Sequence, residues 1–416
     1  MSDDPVDWLY GLQSHGIKLG LDGIRALLQL LGHPDGAYPA ILVGGTNGKG
    51  SVAAMLDALL RAHGRRCGLT TSPHLVSPAE RIRLDGQDVS EVELDRLLAR
   101  VRDACRRGLE GGSLAAHPSF FEVITAAALE GFRDARVDVA VLEVGLGGRL
   151  DATNATEPIV SAIVTVDLDH TGTLGTTLVA IAREKAAIAR AGRPLVCGVA
   201  EEEARAVIRE RCREIGAIFV PVPPLPPDLA PPLAGAHQRH NAAVALATLA
   251  AAADALGFRL RDDAVRAGFA ATRWPGRLQV VPGSPPLLLD GAHNPAGALA
   301  LAEHLAATGG VAPVLVFASM QDKDVEGLLR PLLPHVERIV ATAPRVGRAL
   351  EPEELARRAR ALGARAEAVA SSKEALERAV QLAGPRGRVV VAGSLYLVGE
   401  ILALVEGREA RGPVAM

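Results

Sequence analysis

The run Gly44-Gly45-Thr46-Asn47-Gly48-Lys49-Gly50-Ser51 sets glycines, one lysine and hydroxyl side chains side by side. Glycines let backbone N–H groups approach a phosphate, and a helix starting there adds a favourable dipole. Lys49 is placed to reach the β- and γ-phosphates, and Ser51 to meet magnesium. The general pattern GxxxxGK[ST] is not met, because Gly50 separates the lysine from the serine. Thr46, Asn47, Gly48, Lys49, Gly50 and Ser51 are the candidate phosphate-binding residues, and a nucleoside triphosphate is the expected ligand.

Three further residues suit a metal beside that loop. Glu143 closes the apolar run Val139-Ala140-Val141-Leu142, and His170 stands in Asp167-Leu168-Asp169-His170 after another apolar run. Ser72 follows a third. Oxygen and nitrogen ligands at neighbouring strand ends suit magnesium bridging phosphates. Lys185 lies in a helical pattern, Ile181 to Ile188. Its simplest reading is a solvated lysine; the alternative is a buried amine of lowered pKa, open to carbamylation.

The elements that must position these groups follow from hydrophobic periodicity. Ala40–Val43, 67–71, 137–144, 159–166 and 195–199 read as buried strands. Val52, Met55, Leu56, Leu59 and Leu60 recur at helical spacing after the glycine loop, and a second helix is expected over Asn241–Leu256. Residues 221–233 are proline-rich and read as a surface connection. Strands are expected again at 287–289, 314–317, 338–340 and 388–391. Near-continuous apolar strands alternating with helices predict an α/β fold with mostly parallel sheets. The expectation is a P-loop-containing ATPase domain over 1–282, then a smaller Rossmann-like α/β domain over 286–416. The boundary falls at Pro282-Gly283-Ser284-Pro285-Pro286.

The bulk numbers agree with such an enzyme. The chain has 416 residues, 49% hydrophobic and 22% charged, enough for two cores. A net charge of −3 excludes a nucleic-acid binder held by bulk charge. Cys67, Cys105, Cys197 and Cys212 are scattered, with neither zinc nor disulfide spacing. Lysine occurs at only five positions, Lys18, Lys49, Lys185, Lys323 and Lys373, which draws attention to each. No signal peptide or membrane span is legible, so a cytoplasmic enzyme without membrane or nucleic-acid partners is expected.

These motifs, taken with Ser72-Pro73-His74-Leu75, Phe121-Glu122, Glu143–Asn154, Glu184-Lys185, His237-Gln238, Trp274-Pro275-Gly276-Arg277 and Asp290–Pro295, resemble folylpolyglutamate synthase and the bifunctional dihydrofolate synthase/folylpolyglutamate synthase of the Mur ligase superfamily. The resemblance covers nearly the whole chain, and the Glu143–Asn154 run is its most specific part. It implies that Thr46 to Lys49 bind ATP phosphates, that Ser72 and Glu143 hold one Mg2+, and that Glu143, His170 and carbamylated Lys185 hold a second. It implies that Asn241 meets the nucleotide, Arg277 its phosphates, and that Asp290 completes the site. Phe120, Phe121, Glu122, Leu150, Asp151 and Ala152 are expected near the folate. His293, Lys323 and Ser394 are further candidates, with turn and capping roles as the alternative for His293 and Ser394.

The implied reaction joins L-glutamate to the carboxylate of a folate, or of dihydropteroate, with ATP as co-substrate and an acyl phosphate between. A monomer is expected. Two other readings remain at this level: a Mur-type amino-acid ligase acting on a UDP-linked precursor, and a P-loop ATPase that makes no covalent product. The Gly50 spacer and the Glu143–Asn154 run weigh against the first.

Overall fold

A computed structural model describes residues 4–15, 20–231 and 233–408. Lys18 and the first three residues lie outside them. The chain divides into two compact units. The first holds Met1–Pro73, Pro78–Pro232 and Gln238–Arg273; the second holds His74–Ser77, Leu233–His237 and Trp274–Met416.

The first unit is built on an eight-stranded sheet. Its strands are β1 (Ala40–Gly44), β2 (Cys67–Thr70), β3 (Ile82–Leu84), β4 (Gln87–Asp88), β5 (Val139–Glu143), β6 (Pro158–Ile163), β7 (Pro194–Cys197) and β8 (Ile218–Pro221). The spatial order is β4-β3-β2-β5-β1-β6-β7-β8. β2, β5, β1, β6, β7 and β8 run parallel, while β3 and β4 add an antiparallel edge. β1 and β5 are buried at every position, as helices on both faces require. β1 lies between β5 and β6, so the chain segments leaving these three strands start side by side. Ligands of open α/β sheets bind at such a place.

The second unit has six strands: β9 (Gln279–Val281), β10 (Leu287–Leu289), β11 (Val314–Phe317), β12 (Arg338–Ala341), β13 (Ala366–Ala368) and β14 (Val389–Ala392). Their order is β13-β12-β11-β14-β10-β9, and β9 alone is antiparallel. Two apolar layers cover the faces, one around Leu301, Phe317 and Leu328, the other around Val316, Val391 and Ile401.

The longest stretch of the second unit begins at Trp274 and contains the Pro282–Pro286 segment expected from sequence to be the boundary. That segment joins the antiparallel pair β9 and β10, inside the second unit. β3, β4, β8, β9 and β13 were not expected, because each is short and lies at or near a sheet edge, where an apolar run is not required. The expected strand over 159–166 ends at Ile163. Beyond it Thr165 directs its carbonyl and hydroxyl to the glycine loop. The expected helix at Asn241–Leu256 runs instead from His237 to Ala253.

Candidate active site

The helix Lys49–Ala62 begins directly on the glycine loop, with Gly48 as its N-cap at φ +81°. A side chain at position 48 would be strained, and its Cβ would overlap Asn241 Oδ1. Asn241 therefore stands immediately over the turn. It donates to Gln238 Oε1 at 2.9 Å, and Gln238 reaches the buried Ser51 hydroxyl at 3.4 Å. Lys49 Nζ folds back onto the carbonyls of Gly45 and Thr46, 3.1 Å from each. The N–H groups of Thr46 and Asn47 meet Thr165, at its carbonyl and its hydroxyl, both at 2.9 Å. The donors open to a phosphate are thus those of the helix's first turn, which have no intrahelical acceptor.

Lys185 is not a surface lysine. It is 3% exposed, on the helix Leu178–Ala186, and donates to Gly45 O at 2.9 Å. Burial, and secondarily the charge of Lys49, bring its pKa down to about 7, against an opposing pull from Asp169, Asp167 and Asp151. A neutral amine is thereby available near neutral pH, which is the form that adds carbon dioxide.

Glu143 ends β5 beside Val43 of β1 and is 4% exposed. Its Oε2 accepts from the Ser72 N–H at 2.9 Å. His170 starts the short helix Thr171–Leu174 in a left-handed conformation. Its side chain is one-third exposed, and its backbone N–H is held by Asp169 at 2.8 Å. Among the described residues, no group of three or more His, Cys, Asp and Glu side chains forms a metal-binding cluster. As an amine, Lys185 adds no anionic oxygen to Ser72, Glu143 and His170. As a carbamate it would supply a carboxylate, and the donor set then fits a hard divalent cation.

The Glu143–Asn154 run braces the helix that carries Lys185. Gly148 approaches so closely that a Cβ there would stand 2.8 Å from Glu184 O and 3.2 Å from Lys185 Cα. Arg149 donates from its backbone to Glu184 O and from its side chain to Glu184 Oε1, at 3.0 Å in each case. Asp151 is buried; it accepts from Leu146 N–H, Thr153 N–H and the Thr153 hydroxyl. Burial raises its pKa against those bonds.

The expected folate residues have mixed surroundings. Glu122 closes a capping box with Ser119, accepting its N–H at 2.7 Å and its hydroxyl at 2.8 Å. Phe120 is buried under Arg81, whose guanidinium lies 5.1 Å from the ring centroid. The Phe121 ring lies where a side chain at position 145 would stand. Leu150 is half-buried, and Ala152 is buried in the turn that Asp151 caps. The carboxylates of Glu122 and Asp151 are thus already bonded within the protein.

In the second unit, Asp290 follows β10 and is buried, which raises its pKa. It accepts from Leu278 N–H at 2.8 Å and Ala292 N–H at 2.9 Å, so it ties the Trp274–Arg277 segment to the strand end. Arg277 donates to Gly276 O at 3.0 Å and exerts an attractive charge on Asp290. His293 pairs through Nδ1 with Gly291 O at 2.8 Å. Ser394 caps the helix Leu395–Glu406, the alternative raised from sequence. Lys323 lies in the turn after Met320, its N–H on Met320 O.

Sequence reasoning did not single out Thr165 and gave no role to Asp167 or Gln238, though both stand within its motifs; all three bond to phosphate-loop residues. Thr165, Asp167 and Asp169 alternate after an apolar strand, a period that would place them on one side.

Residues 276–395 match the Mur ligase, glutamate ligase domain. The chain is 41% identical over 378 residues to the dihydrofolate synthase/folylpolyglutamate synthase of Mycobacterium tuberculosis, covering 82% of this chain and 77% of that one. It is 37% identical to a probable bifunctional folylpolyglutamate synthase/dihydropteroate synthase of Haloferax volcanii, across 95% of this chain but only 50% of that longer one. Among solved structures, M. tuberculosis folylpolyglutamate synthase complexed with ADP and AMPPCP superposes with TM-score 0.88 at 36% identity, covering 98% of this chain and 100% of that one. Escherichia coli FolC in complex with DHPP and ADP gives 0.86 at 31%, covering 98% of each. The Yersinia pestis bifunctional enzyme with AMPPNP and Mn gives 0.84 at 32%, covering 97% and 98%.

Proposed function

Because the chain belongs to the folylpolyglutamate synthase/dihydrofolate synthase family of Mur-type ligases, we propose that it joins L-glutamate to the carboxylate of a reduced folate, and also to dihydropteroate, with ATP as co-substrate. The observation that carries this reading is the buried Lys185 amine on Gly45 O, beside Lys49 and against a phosphate loop of the same spacing noted from sequence. The relatives' names and the nucleotide and metal in their solved structures support it.

In this reading the N–H groups of the first turn of Lys49–Ala62, with Lys49, bind and neutralise the triphosphate, and Asn241 fixes the nucleotide over Gly48. Arg277 meets its phosphates. Asp290 acts by holding the Arg277-bearing segment, through Leu278 N–H, and not as a proton carrier. Ser72, Glu143, His170 and a carbamate on Lys185 would hold two magnesium ions, which supply charge neutralisation where two anions must meet.

A carboxylate oxygen of the acceptor attacks the γ-phosphorus, giving an acyl phosphate and releasing ADP. The glutamate α-amine then attacks the acyl carbon, loses a proton, and inorganic phosphate leaves. The residues around Phe121, Leu150 and Ala152 are the proposed walls for the pterin end. His293, Lys323 and Ser394 stand as further contacts or positioning groups. A cytoplasmic monomer fits this chemistry; among the described residues, no helix is long and apolar enough to cross a membrane.

One experiment tests the reading. Purified protein is given ATP, magnesium and glutamate with either dihydropteroate or tetrahydrofolate, and product masses are read. A gain of one glutamyl unit on both acceptors is expected. Amide formation only on a UDP-linked precursor, or ATP turnover without any acceptor, would overturn it.

A further inference from the structure

Two residues of the phosphate loop are tied to two residues leaving β6, Thr165 and Asp167, by six hydrogen bonds. Thr46 N–H donates to Thr165 O at 2.9 Å, and Asn47 N–H to Thr165 Oγ1 at 2.9 Å. The Thr165 hydroxyl in turn lies 3.3 Å from Asn47 O, as donor. Thr46 Oγ1 donates to Asp167 O at 3.2 Å and accepts Asp167 N–H at 3.0 Å. Finally, the Asn47 amide donates to Asp167 Oδ2 at 3.1 Å.

We propose that Thr165 and Asp167 are positioning residues for the nucleotide: they brace Thr46 and Asn47 so that the cradle has its binding shape before ATP arrives. The geometry gives the reason. A glycine-rich loop is flexible, and ordering it on binding would weaken affinity. Here the loop's non-glycine residues, Thr46 and Asn47, have their N–H groups and side chains bonded to a segment anchored by a central strand. The N–H groups of the helix start, from Gly48 onward, are the proposed phosphate donors. Neither Thr165 nor Asp167 need touch the nucleotide to have this effect. Asp167 is suited to the task because its second carboxylate oxygen takes the Asn47 amide while its own backbone locks Thr46.

The inference rests on reading this loop as the ATP site, and the test separates the two. ADP and magnesium are titrated into the full-length protein by calorimetry, and KM for ATP and kcat are measured in the ligation assay. No ADP binding by the wild type would remove the ATP reading itself. Given wild-type binding, Asp167→Ala and Thr165→Val should each weaken ADP and raise KM for ATP by about tenfold, the scale of a lost hydrogen bond, with kcat reduced much less. Asp167→Asn keeps an acceptor for Asn47, and Thr165→Ser keeps the hydroxyl; both should stay within about threefold of wild type. The double variant should fall short of the product of the single effects, since both act on one loop. Thermal midpoints are read in parallel. KM and ADP affinity within twofold of wild type in Asp167→Ala and Thr165→Val would overturn the proposal. So would failure of the conservative pair to restore KM, or a loss confined to kcat.

Discussion

Lys49 and Lys185 donate to the same backbone oxygen, Gly45 O, at 3.1 and 2.9 Å. Burial, and after it the neighbouring charge of Lys49, favours the neutral form of Lys185 and brings its pKa down to about 7.

The shift has a consequence for stability. Between pH 7 and the ordinary lysine value of 10.5, the unfolded chain holds a proton on Lys185 that the folded chain lacks. Stability therefore rises with pH through this window and is lowest, for this group, below pH 7. Lys185→Met removes the burden. The variant should exceed wild type in carbon-dioxide-free buffer by on the order of a few kcal/mol below pH 7, the gap closing towards pH 10.5. Urea denaturation across that range checks it; a gap that widens with rising pH would contradict the assignment.

In the ligation assay the same position should behave oppositely. Lys185→Ala and Lys185→Arg should both nearly abolish product, and bicarbonate should restore neither, because neither side chain offers an amine for a carbamate. Product masses counted over time decide the matter. Full activity of Lys185→Arg would sink the carbamate.

Gly148→Ala probes the brace behind Lys185. The added methyl meets Glu184 O at 2.8 Å, the Ile188 side chain at 3.0 Å and Lys185 Cα at 3.2 Å, so it must push against the helix that carries Lys185. Loss of roughly 1–3 kcal/mol of stability is expected, with kcat falling further than KM rises. A variant with wild-type kcat would show that the run does not position Lys185.

Asp290 separates support from chemistry. Asp290→Ala would leave the N–H groups of Leu278 and Ala292 without their acceptor in a buried place. A loss of about 2–4 kcal/mol is expected from two such donors. Asp290→Asn should recover part of it while keeping measurable ligation. Complete inactivity of Asp290→Asn in a stably folded protein would instead assign the carboxylate a direct part.

Much of the candidate site is read from local spacing along the chain. The spacing of Gly48, Lys49, Gly50 and Ser51 announced a phosphate loop. The apolar runs ending at Gly44 and Glu143 announced parallel strands with groups at their ends, since burial on both faces demands continuous apolar sequence. The edge strands were not legible. β9 and β13 are short and only partly buried, so no hydrophobic pattern was needed to form them.

What the sequence by itself determined was the inventory: which residues of this protein can neutralise phosphate, hold a metal or cap a helix. The tertiary structure decided their states. Lys185 reads as a solvated helical lysine until a parallel sheet and the Gly148 brace bury it against Gly45 O. Thr46 and Asn47 read as residues of a free glycine loop until Thr165 and Asp167, more than a hundred residues away, are seen to bond their N–H groups and side chains. In both cases the deciding partner is distant in sequence and adjacent only because β1 lies between β5 and β6; proton affinity and hydrogen-bond occupancy depend on neighbours in space, which spacing along the chain does not encode.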